Sequence, residues 1–123
     1  EVESLQAAAR LLHGTHDFAA FGTPPRPGGS TIRTVFQADW QPKDEAVLLF
    51  QVTGNAFLYH MVRRMVFLQV LVGQRRLSLE AFQDAVEKAA QLPPGLAPPQ
   101  GLILKEVRYG DRAPVDRGRV TQE

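Results

Sequence analysis

At 123 residues and 13.6 kDa the chain has the size of one ordinary domain, long enough to bury a core and too short for two. Hydrophobic residues at 44% and charged residues at 22% exclude a disordered or fibrous chain, and the absence of cysteine excludes a disulfide framework and thiolate metal sites. A net charge of +1 excludes inferring a nucleic-acid partner from bulk electrostatics, so any such binding has to come from local clusters.

Ser4 to Leu12 reads as a short helix, with Leu5, Ala8, Ala9 and Leu12 at helical spacing before Gly14 ends the pattern. The loop after it runs through Gly22-Thr23-Pro24-Pro25-Arg26-Pro27-Gly28-Gly29-Ser30, whose three prolines and three glycines mark a long flexible or functional segment. Thr31 to Trp40 and Ala46 to Thr53 alternate β-branched and aromatic residues around the turn at Gln41 to Glu45, which predicts a β-hairpin. From Asn55, a candidate N-cap, to about Val72 the spacing predicts a long helix that Gly73 stops. It is apolar around nearly its whole circumference and is expected at the centre of the fold. Ser78 is expected to cap an amphipathic helix reaching Gln91, with Leu79, Phe82 and Val86 on its apolar stripe. The prolines and glycines of 93–101 break that helix, and Leu102 to Tyr109 reads as a last strand. Residues 110–123 are polar and are expected to fray. The order α, β, β, α, α, β predicts an α+β domain over residues 1–109, an antiparallel sheet with helices packed on one face. The central apolar stretch is interrupted by His60, Arg63, Arg64 and Gln69, so no membrane span of about 20 apolar residues is expected. No secretory signal is visible, which makes the cytoplasm the expected compartment. The start at Glu1 rather than methionine reads as a piece of something longer.

Arg63 stands out chemically. Its helical neighbours at i−4, i+3, i+4 and i+7 are Tyr59, Val66, Phe67 and Val70, and no Asp or Glu lies between Asn55 and Gly73. An arginine in such surroundings cannot discharge itself, so its planar fork requires a carboxylate or phosphate from another element or another molecule. From residue type alone, an ordinary ion pair within the domain is the stronger reading. Arg64 is expected at the wetter edge of the same helix, behind His60 and Met61.

The text around Arg63, Gly54-Asn55-Ala56-Phe57-Leu58-Tyr59-His60-Met61-Val62-Arg63, resembles the N-A-F-L-x-H-M-V-R signature of the tRNA pseudouridine synthase A family. Gly14-Thr15-His16-Asp17-Phe18 with Phe21 resembles that family's G-x-H-D-F-x-x-F segment, and Ile32-Arg33-Thr34-Val35 its R-x-V/I strand. Ala97-Pro98-Pro99-Gln100-Gly101-Leu102 with Leu104, Val107 and Tyr109 resembles its A-P-x-x-G-L-x-L-x-x-V-x-Y ending. Four motifs in the family's order cover about Ala8 to Tyr109.

The resemblance implies an isomerase that converts uridine to pseudouridine in the anticodon stem-loop of tRNA, with no cofactor, acting as a dimer. An aspartate in an R-T-D-x-G segment is essential to that chemistry, and none of Asp17, Asp39, Asp44, Asp84, Asp111 or Asp116 stands in such a segment. The chain therefore reads as the C-terminal half, with the catalytic N-terminal half as its partner and no turnover expected from it alone. By resemblance, Arg63 pairs with the missing aspartate. His60, Phe57 and Leu102 are expected to line the substrate cleft, although apolar residues at such spacings are more often core. Arg33, Arg26 and Asp17 are candidate RNA contacts, as are Arg75 and Arg76; for the arginines a solvated surface position is the commoner role, and for Asp17 a turn. His16 and His60 find no third ligand at convincing spacing, so no metal site is expected. The chain departs from the common M-V-R-N-I-V-G continuation at Arg64 and Phe67, which puts close packing of the helix in question. The rival reading is a catalytically degenerate RNA-binding or dimerisation module of the same fold; a further rival, a generic binding protein, predicts that Arg63 pairs with a carboxylate of this domain and lines no cleft.

Overall fold

The computed structural model describes residues 2–45 and 47–97 with their side chains, and 102–108 and 115–122 as backbone strands. Helix α1 (Val2–Leu12) buries the expected stripe of Leu5, Ala8, Ala9 and Leu12. Strand β1 (Gly14–Asp17) follows, then β2 (Ile32–Pro42) and β3 (Leu48–Gly54) as the expected hairpin. Helices α2 (Met61–Gly73) and α3 (Leu79–Lys88) come next, and β4 (Leu102–Arg108) and β5 (Val115–Gln122) complete an antiparallel sheet of order β1-β2-β3-β5-β4. The α+β class holds. Val35, Trp40, Phe50 and Val52 supply the sheet's side of a core that takes Leu12 from α1, Met65 and Leu68 from α2, and Phe82 and Val86 from α3.

A β-bulge makes this face continuous. Val35 and Trp40 are five positions apart and would point to opposite faces of a regular strand, but the register shifts between Val35 and Gln37 and restores both to the core. Pairing on the other edge of β2 is short, because β1 reaches only from Ile32 to Val35. Farther along, a side chain stands in for a neighbouring strand: Gln6 of α1 donates through Nε2 to the Trp40 carbonyl and accepts from the Trp40 amide at 3.0 Å. The Trp40 indole donates at 2.9 Å to Oε1 of Gln69, whose Nε2 donates to the Met65 carbonyl at 3.0 Å. Gln69 is the one polar side chain among the described residues that is wholly buried, and both ends of its amide are used.

Four expectations are corrected. The central helix starts at Met61 rather than Asn55, because Asn55 prolongs the hairpin: its amide donates to the Thr34 carbonyl at 3.1 Å and its Oδ1 accepts from the Thr34 amide at 3.0 Å. Helix α3 ends at Lys88 rather than Gln91, where Ala89 turns into the left-handed region (φ 54°) and the Ala90 amide returns to the Asp84 carbonyl. Gly14–Asp17, read as loop, is a strand because its partner Ile32–Val35 is supplied by the fold, with the Thr15 and Thr34 hydroxyls 2.8 Å apart across the pair. Val115–Gln122, read as a frayed tail, is β5, lodged between β3 and β4 and thus stabilised by two partners that lie elsewhere in the chain. Ser78 caps α3 as expected, accepting from the Ala81 amide at 3.0 Å. Among the described residues no helix is long and apolar enough to cross a membrane.

Replacing Gln69 by leucine leaves the Trp40 indole N–H buried without an acceptor. The expected cost is about 1–3 kcal/mol, read as a lower urea midpoint at unchanged slope. An unchanged midpoint would remove this bond from the account of the core.

Candidate active site

The segment between β3 and α2 is shaped by backbone pairing. Tyr59 and Thr23 form an isolated antiparallel bridge, with the Tyr59 amide donating to the Thr23 carbonyl at 3.0 Å and the Thr23 amide returning at 3.4 Å. Gly22 permits the approach, since a Cβ there would stand 2.5 Å from the Tyr59 carbonyl oxygen. His60 then takes a left-handed conformation (φ 64°), and α2 begins. The Met61 amide donates to the Leu58 carbonyl at 3.0 Å, but the His60 side chain makes no cap bond and the first turn of α2 holds no acidic residue to oppose the positive end of the helix dipole. Arg63 and Arg64 add two cations to that turn.

Arg63 is half-buried in this first turn. Its Nε donates to the Ala97 carbonyl at 2.7 Å, and the Ala97 amide donates back to the Arg63 carbonyl at 3.1 Å. The pair fixes the guanidinium plane and leaves its two terminal nitrogens, the donors suited to a bidentate carboxylate, without a partner among the described residues. The ion pair of Lys88 with Asp84 lies on the surface of α3, and none joins Arg63 to a carboxylate among the described residues.

Arg64, half-buried at the helix edge, is engaged by backbone carbonyls. Its Nε donates to the Ala20 carbonyl at 3.3 Å, its Nη2 to Leu92 at 3.2 Å, and its Nη1 to Gly95 at 3.0 Å and also to Pro93. Every contact is a carbonyl, and burial lowers the pKa of the guanidinium without any opposing carboxylate. Arg64 is therefore the strut that holds residues 92–95 and the loop at Ala20 against α2. Phe67, one turn on, meets the same strap. Gly95 (φ +146°) lies under its ring so closely that a Cβ would stand 2.4 Å from Cζ. The bulk that departs from the usual pattern is accommodated within this chain by a glycine.

His60 borders an open cleft of about 460 Å³ whose walls are residues 19–23, Tyr59, Arg64, and residues 91, 92 and 94–96. Phe57 is half-buried against the core, packed over the end of β3 beside Gly54, and is not part of that wall. Leu102 begins β4, and its side chain lies outside the described residues, as do Pro98, Pro99, Gln100, Gly101 and Tyr109 of the fourth motif. Asp17 is bound within its own loop, accepting from the Ala19 amide at 3.0 Å and from the Thr31 hydroxyl. Arg33 gives Nη1 to the Ser30 and Ile32 carbonyls at 2.9 and 2.8 Å, while its Nε is buried without a partner among the described residues. Arg26 is exposed at a turn closed by the Gly29 amide, and Arg75 and Arg76 are exposed past the end of α2. Arg63, Arg64 and His60 thus gather at the start of α2, while Asp17 and Arg33 belong to the β1–β2 end of the sheet. Arg64 was missed as a strut because nothing in the sequence ties a helix residue to carbonyls about 30 positions away. Among the described residues no three His, Asp or Glu side chains are grouped to hold a metal ion.

Comparison with known proteins matches residues 8–110 to the family described as tRNA pseudouridine synthase. The tRNA pseudouridine synthase A of Chloroflexus aurantiacus is 39% identical over 113 residues, which cover 89% of this chain and 41% of that protein. That of a Geobacillus species is 39% identical over 110 residues (89% and 44%), and that of Archaeoglobus fulgidus 34% over 114 (90% and 42%). The chain spans less than half the length of these curated relatives.

The contact between Phe67 and Gly95 is open to a double-mutant cycle. Gly95→Ala should destabilise the chain by about 1–3 kcal/mol through overpacking and an unfavourable φ, and Phe67→Ala in the same chain should recover part of it. Strictly additive unfolding free energies would mean that ring and glycine do not constrain one another.

Proposed function

The chain belongs to the tRNA pseudouridine synthase family, and from that premise we propose that it is the C-terminal half of a synthase that isomerises uridine to pseudouridine in the anticodon stem-loop of tRNA. In this reading the reaction needs an aspartate carboxylate from an R-T-D-x-G segment that this sequence lacks. The carboxylate assists while the base leaves the ribose through nitrogen and returns through carbon. Arg63 receives it.

The observation that carries the proposal is the state of the Arg63 guanidinium. Nε is committed to Ala97, the terminal nitrogens have no partner among the described residues, and the first turn of the helix carries no acid. A carboxylate entering there meets a fixed two-donor fork and a favourable dipole, which keep it ionised and aimed. The rival that requires an ion pair within the domain finds no such pair at Arg63 among the described residues, although Arg63 is outside the wall of the cleft, as that rival also requires. Arg33, Arg26 and Asp17 are assigned to RNA, and Phe57, His60 and Leu102 to the surroundings of the target base. The N-terminal half of the same protein, tRNA and a second copy of the synthase are the proposed partners, and the cytoplasm the proposed compartment.

Arg63→Lys in the whole synthase should lower kcat by about tenfold or more, since an ammonium replaces a bidentate clamp with a point charge. The chain should keep its unfolding midpoint, and unchanged kinetics would remove Arg63 from the site. The 123-residue chain by itself should form no pseudouridine in tRNA. Measurable turnover by it would overturn the assignment of the essential carboxylate to another segment.

A further inference from the structure

Tyr59 is the most exposed of the large apolar side chains described, at 66%. One exposed ring is ordinary on a protein surface. This one differs in being held. Its backbone is bridged in both directions to Thr23 over Gly22, and the next residue, His60, stays in a left-handed conformation that a side chain adopts only when its surroundings enforce it. Adjacent residues of an extended chain point their side chains apart. The positive φ of His60 instead brings the rings together, stacked at 3.8 Å between centroids and 26° between planes. One face of Tyr59 is thereby backed by imidazole, and the other is bare.

Both rings border the cleft of about 460 Å³ at the start of α2, a volume in the range of small-ligand sites. The cleft's charge favours anions: the Arg64 guanidinium stands in its wall with no carboxylate among the lining residues, and the start of α2, with no acid in its first turn, lies at His60. A bare aromatic face beside cationic groups is the combination by which proteins hold single-stranded nucleic acid, base on ring and phosphate on cation.

We propose that an unpaired nucleobase of the RNA stacks on Tyr59, with His60 as its backing, and that this ring pair positions the substrate beside the reaction site. The proposal rests on the pseudouridine synthase reading and adds to it a binding site one turn of backbone before Arg63. Because every base has a π-face, the site reads the presence of an unstacked base rather than its identity.

The test uses the whole synthase with Tyr59→Ala, Tyr59→Leu and Tyr59→Trp, measuring tRNA affinity, KM and kcat. Tyr59→Ala should weaken tRNA binding and raise KM by roughly 5- to 100-fold, the range for losing one stacked base, with kcat within about twofold. Tyr59→Leu should behave like Tyr59→Ala, and Tyr59→Trp like the unaltered protein. Thermal midpoints of all variants should agree, which separates lost binding from lost folding. Unchanged affinity in Tyr59→Ala overturns the proposal while normal pseudouridine formation leaves the functional reading standing. Full affinity in Tyr59→Leu also overturns it, because the contact is then apolar and not a stack. If the unaltered synthase binds tRNA through Tyr59 yet forms no pseudouridine, the stacking site stands and the catalytic reading falls.

Discussion

One guanidinium holds the functional end of this domain together. Arg64 directs its donors to the carbonyls of Ala20, Leu92, Pro93 and Gly95, so two separate stretches of chain are tied to the first turn of α2. Loops carry carbonyls that helices and strands do not satisfy, and a half-buried cation without a carboxylate is held by several such acceptors. Each need answers the other. The consequence reaches the neighbouring residues of the helix. With the strap fixed, Ala97 meets Arg63 and Gly95 meets Phe67, so positions 63, 64 and 67 dock on one segment through a hydrogen-bonded pair, a carbonyl cage and a ring on a glycine.

The same end of the helix is prepared for negative charge. Asn55 prolongs the hairpin, the Thr23–Tyr59 bridge holds the chain extended, and only then does α2 begin, with an uncapped His60 and no acid in its first turn. A helix that started at Asn55 would have placed Arg63 mid-helix, far from the dipole's positive end. Starting at Met61, it sets Arg63 in the first turn, where the terminal nitrogens and the helix end act in the same direction on an incoming carboxylate or phosphate. The orientation of the guanidinium comes from Ala97, a residue of the fourth sequence motif along the chain acting on a residue of the third.

Much of the architecture was legible because it follows local periodicity. The stripe of α1, the alternation of the hairpin and the Ser78 cap of α3 each need only a few consecutive residues to declare themselves. What was illegible depended on distant partners. Strand β1 consists of Gly14, Thr15, His16 and Asp17, with no apolar alternation to announce it, and exists because Ile32–Val35 lies alongside. Strand β5 reads as a polar tail until β3 and β4 enclose it. The end of α3 at Ala89 carries no glycine to mark a left-handed turn, and the apolar run from Phe57 onward imitates a helix through residues whose backbone bonds go to other strands.

The amino-acid sequence by itself determined the α+β class, the family motifs and the need for a partner at Arg63, since residue types, their order and the lack of an acid from Asn55 to Gly73 are properties of the linear chain. Tertiary structure alone decided where α2 begins, which way the Arg63 fork points, and that Arg64 rather than an ion pair braces the site. Those outcomes turn on backbone groups that every residue carries alike. A carbonyl at Gly95 or Ala97 leaves no trace in the sequence, and only the fold brings it within hydrogen-bond reach of an arginine about 30 residues away.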